Sequence, residues 1–327
     1  MDLELLQRTL ADAGEPSFRA SQVWEWAAGG ARSYGQMTNL PKGLRDRLRL
    51  EVPLSTINVA DSARSSDGTE KVLFHTLDGR PLEAVLMRYR DGRRSVCVSS
   101  QSGCPLTCSF CATGRMEFAR NLSSGEILDQ VLHFRRSEPV NHLVFMGMGE
   151  PLMNVDAVLE AAERLPEIGI ATSHTTVSTV GWIPGIERLC TEGPRIRLAL
   201  SVHSAEEDVR SELMPVNDRY PLRDVLAACL RWREARRKRV YVEYLMLAGV
   251  NDAPDQALAL AEALGPGEAW KVNLIPYNPT PGSFAGSGPE AIDEFRGVLR
   301  ERGIPTTVRL TRGRDIAAAC GQLAVTR

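Results

Sequence analysis

The chain is expected to fold as an α/β protein: a partial (β/α)6 barrel with a small N-terminal helical domain and a β-hairpin extension. Three observations predict it. From residue 95 onward, short apolar runs alternate with helix-length amphipathic stretches, the order that builds right-handed βαβ units on a parallel sheet. Before that point, Asp78-Gly79 and Asp91-Gly92 separate strand-like runs, a hairpin signal. The first fifty residues carry helical periodicity instead.

Taken in order, residues 1–50 predict helices, with Phe18, Val23, Trp24 and Trp26 on an apolar face and Leu40-Pro41 opening a short helix that ends near Leu50. Residues 51–94 form the extension, in which 72–76 and 82–86 pair across the Asp78-Gly79 turn. Residues 95–327 form the barrel. Its expected strands are 95–99, 141–146, 174–179, 196–202, 240–246, 270–276 and 305–310; its expected helices are 123–136, 154–166, 184–192, 222–236, 254–264 and 288–302. Six or so such units make an incomplete barrel, with an active site at the C-terminal ends of the strands. The Gly/Pro/Ser-rich stretch 278–289 reads as one long loop.

Composition is that of a globular protein, with 43% hydrophobic and 24% charged residues among 327. The N-terminus lacks the basic start and apolar stretch of a signal peptide. No apolar run approaches the roughly 20 residues that span a bilayer. A cytoplasmic protein without membrane attachment is expected. The net charge of −2 announces no nucleic-acid partner, but three basic groups could meet phosphates: residues 231–239; Lys42, Arg45, Arg47 and Arg49; and Arg309, Arg312 and Arg314.

Chemistry concentrates in Cys104, Cys108 and Cys111, which follow the first expected barrel strand. Three thiolates in one short loop can hold three irons of a cubane cluster and leave the fourth open. They could also form part of a zinc site completed by a distant histidine. Seven cysteines in 327 residues, three of them crowded together, do not make a disulfide framework. With the aromatic Phe110 before the third cysteine, the pattern resembles the radical S-adenosylmethionine (radical SAM) superfamily. That resemblance implies a partial radical SAM barrel, a [4Fe–4S] cluster held by Cys104, Cys108 and Cys111, and SAM bound at the open iron.

Further polar residues fall at strand ends. Gly149 allows close backbone approach to a ligand, and the Glu150 carboxylate could hold an ammonium group by a charge-assisted hydrogen bond. Ser178, Ser201, His203 and Asn278 end or follow later strands, where they would point into the barrel mouth. Cys190 and Cys229 sit in apolar helical contexts and read as small buried hydrophobes.

Over nearly its whole length the chain resembles the RlmN/Cfr family of radical SAM RNA methyltransferases. The matching stretches are residues 66–71, 97–104, the cluster loop, 147–152, 213–217, 242–252, 271–276 and 319–323. The resemblance implies methylation of adenosine C2 in 23S rRNA, and in some tRNAs, with two SAM molecules per turnover. It assigns SAM binding to Gly149, Glu150, Ser178, Ser201, Val202, His203 and Asn278. It makes Cys320 the methyl carrier, Cys97 the thiol that resolves an RNA–protein crosslink by pairing with Cys320, and Glu83 the proton acceptor. It also implies a low-potential electron donor, flavodoxin or ferredoxin, and a monomer. Two other readings stay open: the same chemistry at C8, and an RNA-binding protein that has lost methylation. Trp24, Trp26 and the basic group at 42–49 are the expected RNA-docking surface, and Arg312 and Arg314 are expected to favour the Cys320 thiolate. The family commonly has acidic residues where this chain has Arg314 and Ala317, which changes the charge around Cys320.

Overall fold

The computed structural model describes residues 1–265, 267–280 and 282–324. Helices α1 (Leu3–Asp12), α2 (Phe18–Ala28) and α3 (Lys42–Glu51) come first. Strands β1 (Ile57–Arg64), β2 (Glu70–Thr76), β3 (Pro81–Arg88) and β4 (Arg94–Val98) follow, then the two-residue strands β5 (Gln101–Ser102) and β6 (Arg120–Asn121). The alternating part comprises α4 (Ser124–Arg135), β7 (His142–Phe145), α5 (Val155–Ile168), β8 (Thr175–Thr179), α6 (Ile183–Thr191) and β9 (Arg197–Ser201). It continues with α7 (Glu207–Leu213), α8 (Leu222–Arg236), β10 (Val240–Met246), α9 (Pro254–Leu264), β11 (Trp270–Pro276), α10 (Pro289–Glu301) and β12 (Thr306–Val308).

One sheet runs β1-β2-β3-β4-β7-β8-β9-β10-β11-β12. From β4 to β12 every pairing is parallel and spatial order equals chain order, as expected of the α/β partial barrel. The seven strands and six helices expected from the alternation are all present. The sequence reading missed α7, which is under two turns long, and β1. The antiparallel part is therefore a three-stranded meander joined through β3 to β4, not a lone hairpin. Its polar edge strand β1 is largely exposed and has a bulge between Val59 and Asp61, so no alternation betrays it.

Of the N-terminal helices, α2 packs against α4 and α5, and α1 packs against α2 and α3. α4 is buried nearly all round and starts with a reciprocal cap, Ser123 Oγ accepting from the Glu126 amide at 3.2 Å and Glu126 Oε2 from the Ser123 amide at 2.9 Å. Asp129 Oδ2 on α4 accepts from the Thr56 amide at 2.6 Å and from its hydroxyl at 2.7 Å, pinning the approach to β1. Trp24 is buried, with its indole N–H on Glu167 of α5. It is a packing residue, not a surface for RNA. Phe18, expected on the apolar face, is 52% exposed in the first turn of α2, with the Arg19 guanidinium over its ring. The 231–239 group is also largely committed: Arg231 pairs with Glu187, and Arg236 and Lys238 donate to carbonyls.

Candidate active site

At the C-terminal ends of the parallel strands lies a cavity of about 160 Å³. Gly149, Glu150, Ser178, Ser201 and His203 line it, together with Cys111 and Cys320. Strand periodicity explains the selection. Ser201 and His203 face inward, so Val202 between them turns outward into the apolar core. Val202 therefore brings no side chain to the cavity, and its amide donates to the Glu243 carbonyl at 3.0 Å.

The wall formed after β7 is tight. Gly149 has φ +96°, and a Cβ there would stand 2.5 Å from the Gln101 side chain. Gln101 Oε1 accepts from the Glu150 amide at 2.8 Å. Glu150 is buried, and its two oxygens accept from the amides of Leu152 and Val180, each at 3.0 Å. Burial pushes its carboxyl up to about 7 against those hydrogen bonds. Glu150 thus ties the β7 and β8 loops together as well as lining the cavity.

His203 has φ +61°. Its Nδ1 accepts from the Leu245 amide at 3.0 Å, which leaves the proton of the neutral ring on Nε2. Burial, then the nearby Arg210, pulls its pKa down to about 3. The ring packs edge-on to Phe110 at 4.8 Å. Asn251, fully buried, donates to the His203 and Leu245 carbonyls at 2.6 and 2.7 Å and accepts from the Leu247 amide at 2.8 Å.

The cysteine loop is held from two sides. From one, the Ser109 amide donates to the Leu213 carbonyl at the end of α7 at 3.0 Å. From the other, the Ala112 amide donates to the Gly321 carbonyl at 2.8 Å and Thr113 Oγ1 to the Leu323 carbonyl at 2.6 Å. Burial is the main force raising the thiols of Cys104, Cys108 and Cys111, that of Cys104 to about 12. Among the described residues no three His, Cys, Asp or Glu side chains converge to hold a single metal ion. A cubane cluster asks for less convergence, because each thiol binds its own iron. Three grouped thiols, one buried and two partly buried, with little protein charge to ionise them fit a cationic cluster.

Cys320 also lines a second cavity, of about 30 Å³, with Cys97, Asn278 and Arg309. Asn278 therefore belongs beside the thiols, its Nδ2 3.4 Å from the Cys320 carbonyl. Cys97 lies on β4 among Val85, Met148, Ala318 and Leu323. Burial pushes its thiol up to about 12; Cys320 adds to the rise and Arg309 opposes it. Arg312 and Arg314, expected to act on Cys320, both donate to backbone carbonyls, although Arg312 also borders the small cavity. Arg312 donates to the Asp67 carbonyl at 3.2 Å, and Arg314 to the Tyr277 carbonyl at 3.0 Å. Arg309 and Arg312 both line the small cavity with the two thiols, and Arg309 is the one whose charge opposes the rise at Cys97.

Glu83 lines neither cavity. It is buried on β3, paired with Lys71 at 3.0 Å, and accepts from the Ala324 amide at 3.1 Å. The 66–71 stretch proves to be a clasp. Asp67 Oδ2 accepts from the Gly313 amide at 3.0 Å, and Ser65 Oγ donates to Asp315 at 2.6 Å. Cys229 is buried in the core on α8, and Cys190 is partly buried on α6, in keeping with their apolar contexts. The sequence reading missed Gln101, Arg210, Glu243 and Asn251 as site-building residues. The signal available for Glu243 was a charge inside an otherwise apolar central strand.

Residues 98–261 match the family model for the Radical SAM superfamily, a span that starts at the end of β4 and covers most strands lining the cavity. The chain is a radical SAM protein, and membership of that superfamily implies a [4Fe–4S] cluster and SAM. Residues 1–52 match the model for the ribosomal RNA large subunit methyltransferase N-terminal domain. The chain is 44% identical to the dual-specificity RNA methyltransferase RlmN of Anaeromyxobacter dehalogenans, covering 98% of this chain and 90% of that one. It is also 44% identical to the protein of the same name from Syntrophobacter fumaroxidans, with 97% and 95% covered. The crystal structure of a radical SAM methyltransferase from Sphaerobacter thermophilus superposes with a TM-score of 0.93 at 43% identity, covering 99% of this chain and 97% of that one. The chain belongs to the RlmN family. No described helix is long and apolar enough to cross a membrane.

Proposed function

We propose that this chain methylates C2 of adenosine in RNA, with Cys320 as methyl carrier and Cys97 as the resolving thiol. The observation that carries the proposal is the position of Cys320. It borders both the cavity ringed by strand-end polar groups and the small one that holds Cys97. The names of the relatives support an RNA substrate.

Cys104, Cys108 and Cys111 would hold the [4Fe–4S] cluster. Bound together, the cluster and SAM supply methyl groups and radical hydrogen abstraction. Ser178, Ser201 and neutral His203, with a hydrogen-bond donor at Nε2, orient SAM in the larger cavity. The Cys320 thiolate takes a methyl group by nucleophilic displacement and carries the activated carbon to the flipped base. Glu83, the acceptor that the resemblance implies for the ring proton, lies outside both cavities and is paired with Lys71, so that role requires the base to reach past the small cavity. Cys97 then frees the RNA by forming a disulfide with Cys320. The target class is 23S rRNA, with tRNA second, and the protein acts in the cytoplasm as a monomer supplied with electrons by flavodoxin or ferredoxin. With Trp24 committed to packing, RNA docking on the N-terminal helices rests on Trp26 and α3.

The test is nucleoside mass spectrometry on RNA from an anaerobic reaction with reconstituted protein, SAM, a low-potential reductant and unmodified 23S fragments or tRNA. Cluster-dependent 2-methyladenosine is the expected product. 8-Methyladenosine would overturn the C2 assignment. SAM cleavage without any methylated adenosine would overturn the activity on those RNAs.

A further inference from the structure

The inward face of the barrel carries a second tier of side chains nearer the strand N-termini. Thr176 precedes Ser178 by two positions, and Arg197 precedes Ser201 by four. Tyr241 and Lys271 likewise precede the cavity residues Leu245 and Ile275 by four. Even spacing keeps all of them on the inner face. With Arg93 from the β3–β4 turn and the rings of His142 and His174, they line a chamber of about 470 Å³. Its roof is Met146, Glu243 and Arg309, which also border the upper cavity. Arg309 Nη1 lies 3.3 Å from Met146 Sδ and 3.7 Å from Glu243 Oε2.

The charge in this chamber is uncompensated. Arg93, Arg197 and Lys271 form no ion pair among the described residues, whereas neighbours such as Arg94 and Lys71 do. The Arg93 guanidinium stacks on Tyr89 at 3.8 Å, and its buried Nε has no hydrogen-bond partner. Glu243 is the carboxylate in the lining, and it already faces Arg309. Asp91 in the adjacent turn is the other acid near His142. The His142 and His174 rings stack at 4.1 Å. Burial, then His174, Arg93 and Arg197, holds His142 down at about 4, as a positive field should.

We propose that this lower chamber is a binding site for a phosphate-bearing anion, gripped by Arg93, Arg197 and Lys271, with the hydroxyls of Ser95, Thr176 and Tyr241 as neutral partners. Cationic donors converging on one pocket make the charge-assisted hydrogen bonds that phosphate oxygens accept. The chamber volume falls in the roughly 300–1,000 Å³ range of small-ligand sites. Met146, Glu243 and Arg309 divide the chamber from the upper cavity, so the site is separate from the one described above. It does not depend on the methyl-carrier reading.

The experiment follows the melting temperature of cluster-reconstituted protein against inorganic pyrophosphate at constant ionic strength, with sodium chloride as control. The wild type is expected to show a saturable rise. Arg197→Gln and Lys271→Gln are each expected to weaken apparent affinity about tenfold, and Arg231→Gln on the outer surface to leave it unchanged. Should R197Q not fold, K271Q carries the test. A stem-loop RNA that displaces pyrophosphate identifies backbone phosphate as the natural source; simultaneous binding identifies a free small anion. Pyrophosphate acting no differently from chloride, or folded variants binding like wild type, overturns the proposal.

Discussion

Cys97 on β4 and Cys320 in the C-terminal segment border the same cavity of about 30 Å³, with Arg309 beside both. The two thiols thus face one shared space, and Cys97 feels the charge of Cys320. Their proposed roles differ, and the difference is measurable. Cys320→Ala should abolish methylation while leaving RNA affinity within about twofold, because the thiol adds little to backbone contacts. Cys97→Ala should instead leave RNA covalently attached, seen as a band shift on a denaturing gel. Equal RNA modification by wild type and C320A would remove the carrier from the mechanism.

Acid stability follows from two buried groups of opposite sign. His203 is held at about 3, so between that value and about 6.5 the unfolded chain binds the extra proton, and stability falls as pH drops below about 6.5. Glu150, held at about 7, binds its proton in the folded state first, so its contribution rises as pH falls through 7. His203→Asn removes the first effect and keeps the second. Asn tolerates a positive φ and can accept from the Leu245 amide. Between pH 7 and 5, wild type should lose about 2 kcal/mol relative to H203N. Anaerobic urea unfolding at both pH values reads this directly, and parallel curves would contradict a neutral buried His203.

Lys71 and Glu83 form a pair with side-chain exposures of 10% and 2%. Lys71→Met should cost about 3–5 kcal/mol, since it strands a buried carboxylate. The double variant K71M/E83Q should recover a large part of that loss. Urea midpoints settle the matter: a double variant as unstable as K71M would show that the pair is not the source.

Asp67 accepts from the Gly313 amide, in the segment leading to Cys320. Asp67→Ala should weaken the clasp by about 1–2 kcal/mol and speed alkylation of Cys320 while leaving the iron content intact. An unchanged alkylation rate would place control of that segment elsewhere.

On α3, Lys42 and Arg49 form no ion pair among the described residues, whereas Arg47 is paired with Glu51 at 3.0 Å. If this helix contacts RNA backbone, K42Q/R49Q should weaken binding and lower the salt slope by about two. Filter binding at several salt concentrations tests this, and an unchanged slope removes α3 from the RNA path.

The barrel was readable because strand-length runs such as 240–246 and 270–276 are mostly apolar and alternate with helix-length stretches, several of them amphipathic, such as 154–166 and 288–302. The cysteine loop, Gly149, Glu150 and the strand-end residues Ser178, Ser201 and His203 were readable for the same reason, since a strand end has only one place to be. β1 was not readable, because an exposed edge strand buries too little to impose a pattern. Arg309 was hidden differently. The basic spacing of Arg309, Arg312 and Arg314 suggests phosphate contact, but Arg309 follows β12 into the wall of both cavities while Arg312 and Arg314 find Asp67 and Tyr277. The tie from Glu150 to the Val180 amide, thirty residues away in the β8 loop, leaves no trace in local sequence.

β4 is an interior strand: Cys97 is in register with Val85 of β3 on one side and Val144 of β7 on the other. A residue laced on both flanks cannot travel without tearing the sheet. The chain around Cys320 belongs to no strand and is tethered by a few hydrogen bonds to Asp67, Ala112 and Thr113. In any encounter between the two sulfurs, Cys97 is the stationary target and Cys320 makes the journey. The reach of that short tether then sets how far the Cys320 sulfur can move from its place in the structure.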